Sequence, residues 1–100
     1  MKIDAIVLHE RDNVATALRD VRAGEEITMG VLETKMRIRI NQDIPYGHKL
    51  AVRPIGVGQD IFKYGEVIGR ATQDIRAGAY AHVHNIESLR GRGDWNDRAK

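Results

Sequence analysis

Apolar positions along this chain fall into short runs with two different periods. Ile3 to Leu8 is brief, β-branched and nearly all apolar, which predicts a strand closed by His9-Glu10-Arg11-Asp12. Val14, Ala15, Ala17, Leu18 and Val21 recur at helical spacing, with Asp12 placed to cap and Gly24 to stop, so one short helix is expected there. So few turns cannot stand alone, and the helix must dock on a sheet. After Gly24 the period becomes two. Met36, Ile38 and Ile40 alternate with Lys35, Arg37 and Arg39, which predicts a strand with a core face and a wet face. Asn41-Gln42-Asp43 and Pro45-Tyr46-Gly47 are turn material. His48 to Arg53, Val67 to Thr72 and Ala81 to Ile86 are further short strands, the last with His82 and His84 on one face and Val83 on the other.

One phrase is written three times. Ala17-Leu18-Arg19-Asp20-Val21-Arg22-Ala23-Gly24 is echoed by Ala51-Val52-Arg53-Pro54-Ile55-Gly56-Val57-Gly58 and by Ala71-Thr72-Gln73-Asp74-Ile75-Arg76-Ala77-Gly78. The shared core is Ala, two residues, Asp or Pro, an aliphatic, two residues, Gly. Each Gly sits where a turn calls for positive φ, and Val21, Ile55 and Ile75 can each plug the core beneath their turn. The copies are unequally spaced, which argues for a compact β fold with related corners rather than a solenoid.

Composition narrows the picture further. One hundred residues make a single domain with one modest core. With 42% apolar and 30% charged residues the chain is an ordinary globular one, and only five aromatics leave the core to Ile, Val, Leu and Ala. The absence of cysteine removes disulfides, thiolate metal sites and a cysteine nucleophile. The net charge of +2 comes from interleaved signs, without the basic clustering that nucleic acid requires, and no apolar run is long enough for a membrane span. No secretory signal is evident, so the chain reads as cytoplasmic. Residues 1–88 are expected to form the domain, and 89–100 a loose tail with Trp95 either exposed or docked on a surface.

The repeated turn resembles the SAF domain, a β-clip fold shared by antifreeze-like domains, sialic acid synthase C-termini and flagellar P-ring chaperones. The likeness sharpens at Gly47-His48-Lys49-Leu50-Ala51, Lys63-Tyr64-Gly65-Glu66-Val67-Ile68-Gly69-Arg70-Ala71, Asp74-Ile75-Arg76-Ala77-Gly78 and His82-Val83-His84-Asn85. In that order they are similar to the SAF module of the altronate/galactarate dehydratase family, which includes the alpha subunit of sulfolactate sulfo-lyase. The resemblance covers roughly residues 3–86. It implies a mainly β domain, here with one short helix, in the β-clip fold. It also implies β-elimination of water or sulfite from a sugar acid such as altronate, galactarate or sulfolactate. A divalent metal, iron or manganese, goes with that family and would be held mainly by a large catalytic subunit, the implied partner. The chain alone would then be an incomplete lyase.

Such chemistry needs a base of near-neutral pKa, a charge stabiliser and a cation for the substrate carboxylate. His48 and His84 are the candidates for proton transfer, Lys49 and Asn85 for substrate binding, and His82 with His84 for a metal. Two histidines on one strand face, about 6.6–7 Å apart, suit a shared metal or a flanked anion. The plainer reading is a polar strand facing water or another subunit. His9 lies outside the motifs and is expected to serve the surface or a cap, and Tyr64 to be a packed ring. A non-catalytic sugar-acid binding module is the alternative function. A homo-oligomer is compatible with the sequence. The export-dependent flagellar chaperone is disfavoured.

Overall fold

The computed structural model describes residues 2–88. Its strands are β1 (Ala5–Val7), β2 (Val14–Ala17), β3 (Glu26–Val31), β4 (Thr34–Arg39), β5 (Lys49–Ala51), β6 (Asp60–Lys63), β7 (Glu66–Ala71), β8 (Tyr80–Ala81) and β9 (Ile86–Ser88). Six form a sheet in the order β4-β3-β1-β2-β5-β8, and three form a second, β6-β7-β9. Only the β1–β3 pair is parallel among these ladders; every other pair is antiparallel. The tail 89–100 and Trp95 lie outside the described residues.

The expected short helix is absent: among the described residues there is none. Its segment holds β2 and the turn that follows. The cause lies in where β2 sits. Val14 packs into one core with Ala51, Ile55 and Ile61, while Ala15 and Ala17 pack into another with Val7, Ile27 and Leu50. A strand covered on both faces has no need to alternate, so its apolar run imitates a helical stripe. Asp12 therefore caps no helix. It is 3% exposed, and its two carboxylate oxygens accept the N–H groups of Tyr64 and Gly65 at 2.9 Å each, at the β6–β7 hairpin tip. β4 also departs from expectation. It is the sheet's edge, and only Ile38 on it is partly covered; Met36 is exposed although it alternates with the cations.

The repeated phrase builds the corners. Gly24, Gly58 and Gly78 all have positive φ, as their turns require. A fourth copy lies in Asp43-Ile44-Pro45-Tyr46-Gly47, and the four turns associate as two pairs. Val21 and Ile44 exchange backbone hydrogen bonds at 2.9 and 2.8 Å, and Ile55 and Ile75 do so at 2.8 Å each. Within each pair, the glycine N–H of one turn donates to the carbonyl opening the other: Gly24 to Ile40, Gly47 to Ala17, Gly58 to Ala71 and Gly78 to Ala51. The aspartates close the same pairs. Asp20 accepts the Tyr46 N–H at 2.7 Å, Asp43 that of Ala23 at 3.0 Å, and Asp74 that of Val57 at 2.9 Å. Pro54 takes the fourth such place and has no side-chain oxygen to offer. The aliphatic plugs Val21, Ile44, Ile55 and Ile75 are all buried. Each turn thus satisfies its own backbone through its partner, as buried polar groups must.

Candidate functional site

The turns that end at Gly47 and Gly78 bring the chemistry together. Gly47 ends one turn and delivers His48 and Lys49 onto β5; Gly78 ends the other and delivers Tyr80 onto β8. β5 and β8 are paired, with Lys49 opposite Ala81 and Leu50 opposite Tyr80. Beyond Ala81 the chain does not continue as the expected strand. Residues 82–85 form a turn before β9, so His82 and His84 do not share a strand face. The turn is tied by Asn85, which is 6% exposed. Its Oδ1 accepts the His82 N–H and its Nδ2 donates to the Tyr80 carbonyl, both at 2.9 Å. The Asn85 carboxamide thereby fixes the histidine-bearing loop. Its use toward a substrate was expected from the sequence; these two bonds occupy it within the chain.

The rings meet around Tyr80, a residue that sequence reasoning passed over. The Tyr80 hydroxyl and His48 Nδ1 are 2.6 Å apart. The Tyr80 ring stacks on His82 with centroids 5.4 Å apart and 5° between planes, and touches His84 at 5.4 Å. His48 and His82 are 4.9 Å apart, ring to ring. A signal for Tyr80 was present: it follows the third written turn by two residues, the place that turn controls.

Charge at this site is of one sign. Lys49 is half-buried, and burial pushes its pKa below the ordinary value. The neighbouring Lys63 ammonium adds to that, against a smaller opposite effect of Tyr64. Burial likewise lowers His82, and the cationic forms of His48, Lys49 and His84 lower it further. Among the described residues, neither Lys49 nor Lys63 has a carboxylate partner, since the ion pairs join Arg19 to Asp4 and Glu25, and Arg37 to Glu26. Lys63 instead lies over the Tyr64 ring, 4.0 Å from its centroid. Tyr64 is exposed at the hairpin tip with φ of 57°, not the packed ring expected. His9 lies apart from the cluster; its Nδ1 accepts the Arg11 N–H at 3.1 Å, a local bond of the capping kind.

Among the described residues, no group of three or more His, Asp or Glu side chains is placed to hold a metal ion. His82 and His84 together offer two nitrogens, so a divalent ion bound here would need its remaining ligands from another chain. Among the described residues no helix is long and apolar enough to cross a membrane.

The family described as the altronate/galactarate dehydratase SAF domain matches residues 3–89. Altronate dehydratase of Bacillus subtilis is 43% identical over 84 residues, covering 83% of this chain and 16% of that protein. The galactarate dehydratase (L-threo-forming) of Escherichia coli is 35% identical over 77 residues, 75% of this chain and 13% of that protein. The chain thus spans only a small part of the dehydratases it matches. The (2R)-sulfolactate sulfo-lyase subunit alpha of Chromohalobacter salexigens differs in proportion. It is 35% identical over 94 residues, covering 90% of this chain and 99% of that subunit.

Proposed function

Because the chain belongs to the altronate/galactarate dehydratase SAF-domain family, we propose that it works as the small component of a hydroxy-acid lyase. With a large catalytic subunit, it would eliminate water or sulfite from a sugar acid such as altronate, galactarate or sulfolactate. The observation that carries this reading is the cluster of His48, His82 and His84 around Tyr80, with the Lys49 charge acting on His82 and, among the described residues, no carboxylate paired with Lys49. Such a surface attracts an anionic substrate and leaves a carboxylate unopposed. The full-length match to a protein named as a subunit supports a separate small chain.

Elimination moves a proton from the carbon beside the carboxylate to a base. The C–H electron pair becomes the new double bond, and the leaving group departs with its own pair. His48 suits the proton step. The Tyr80 hydroxyl can donate to Nδ1, which puts the ring proton on Nε2, or accept from it, which frees Nε2 to take one. Both neutral tautomers are satisfied, so Tyr80 positions a ring that can act as acid or base. Lys49 offers the carboxylate a partly desolvated ammonium. His82 stacks on the Tyr80 ring and His84 meets the same ring at a tilt, both from the turn that Asn85 holds. A divalent ion, iron or manganese, would supply charge stabilisation, and its site would be completed by the large subunit.

The test is to co-express the chain with a large lyase subunit and assay sugar-acid elimination. Co-elution, with turnover that needs both chains, is expected. A large subunit fully active alone would overturn the reading. Saturable sugar-acid binding by the isolated chain, with no effect on turnover, would favour the non-catalytic binding module.

A further inference from the structure

We infer that Lys63 and Tyr64, at the tip of the β6–β7 hairpin, belong to the same site as Lys49, and that the two lysines together grip one carboxylate of an anionic acid; the choice of acid rests on the function proposed above. Among the described residues, three polar or charged side chains are buried: Asp12, Asn13 and Asn85. Such burial is costly unless each group is bonded in place. Asn85 holds the turn that carries His82 and His84. The other two hold the hairpin that carries Lys63. Asn13 donates from Nδ2 to the Asp60 carbonyl at 2.9 Å and accepts the Phe62 N–H at 2.8 Å. Asp12 accepts the N–H groups of Tyr64 and Gly65. The His9 ring also packs on the tip, close enough that a Cβ on Gly65 would stand 2.7 Å from it. Seating of this kind fixes a side chain in one geometry toward a ligand.

Strand alternation turns both lysines toward the gap between the two sheets. Ala51 and Ile61 pack in one core there, and Lys49 and Lys63 lie two residues from them on β5 and β6. The irregularity of the hairpin falls on β7, where Ile68 is the extra residue, so β6 keeps its alternation. The two charges act on one another: after burial, Lys63 is the group that lowers the Lys49 pKa most. The Lys63 ammonium lies 4.0 Å over the Tyr64 ring, a seat that holds a cation without neutralising it. Glu66 stands opposite Lys63 in the hairpin register, yet the two form no ion pair. Two ammonium groups in one half-buried space repel, and a carboxylate between them turns repulsion into attraction. Its two oxygens can each accept from one ammonium. Their charge grows as the proton leaves the neighbouring carbon, so a second cation serves the elimination better than one.

Titration of the isotope-labelled full chain with millimolar altronate, followed by NMR at the lysine side chains, tests this without any large subunit. The Lys49 and Lys63 signals should move together with one dissociation constant. Lys63→Met should raise that constant about tenfold, and Lys63→Arg should restore most of the loss. Glu66→Gln should not weaken binding, which separates the grip from a mere cross-strand role for Lys63. Tyr64→Gly removes the seat while accepting the positive φ, and should weaken binding about threefold; it serves as the independent variant should Lys63→Met fold poorly. Shifts confined to Lys49, no response at either lysine, or binding unchanged in both variants would overturn the inference. So would a response to galactarate but not to altronate, which would put the lysines at opposite ends of a diacid. These outcomes hold whether or not the assembled lyase turns over.

Discussion

Replacing Gly78 by alanine should cost far more than replacing Gly58, although both glycines end the same repeated turn with φ of +84° and +86°. The shared part is backbone strain, about 1–2 kcal/mol for an L-residue in the left-handed region. For Gly58 that is nearly all, because a Cβ there meets nothing within 4 Å. At Gly78 the Cβ would overlap the Arg39 carbonyl oxygen, with Ile40 close behind, so backbone must move. The shift threatens the hydrogen bonds from Gly78 N–H to Ala51 and from Asn41 N–H to the Gly78 carbonyl, at about 1 kcal/mol each. It also disturbs fully buried Ile40, where repacking costs about 1–3 kcal/mol. The expected totals are about 1–2 kcal/mol for Gly58→Ala and roughly 4–7 kcal/mol for Gly78→Ala, the latter comparable with the whole stability of a small domain. Urea unfolding followed by circular dichroism would measure both, and thermal midpoints should fall about 4–8 °C per kcal/mol. Equal losses at the two positions would refute the close approach of the Gly78 turn to Arg39, and with it the account of how Tyr80 is placed.

Two further predictions concern carboxylates that accept backbone N–H groups. Asp12→Ala leaves the Tyr64 and Gly65 N–H groups without their acceptor and should cost about 2–4 kcal/mol in urea unfolding, with Asp12→Asn intermediate; a loss below about 0.5 kcal/mol would contradict the grip on the hairpin tip. Burial raises the Asp4 pKa, but the Thr28 N–H and the Arg19 guanidinium outweigh it, so the net shift is downward. A carboxyl with a depressed folded pKa stabilises above the ordinary Asp value, and that stability is lost as the pH falls through the folded one. Asp4→Asn should therefore flatten the acid limb of the stability–pH curve. The effect should be about 1–2 kcal/mol, because Arg19 is 39% exposed and solvent screens the pair. An unchanged acid limb would show that Asp4 is not so held.

Particular residues show what could be read in the sequence and what could not. Gly24, Gly58 and Gly78 announced positive φ by position, and the structure has it, because a turn's demands are local. The fourth turn at Asp43-Ile44-Pro45-Tyr46-Gly47 escaped notice because no alanine opens it; Ile40 does. The expected helix failed because β2 lies between two cores, a tertiary fact that no period along the chain expresses. Met36 kept strand alternation but lost its core, because edge position is set by sheet order. His48, Lys49, His82 and His84 do lie around one site, but not through a shared strand face. A turn held by Asn85 and a stack on Tyr80 gather them, and both depend on contacts between β5, β8 and the residue 82–85 turn.

The most direct test of the central claim uses the complex assembled with a large lyase subunit. His48→Ala and His84→Ala should each co-elute with that subunit as the native chain does, while elimination from the sugar acid falls at least about a hundredfold, as expected when a proton-transfer group is removed. Full activity in both assembled variants would contradict the claim that this chain contributes reacting groups to the shared site.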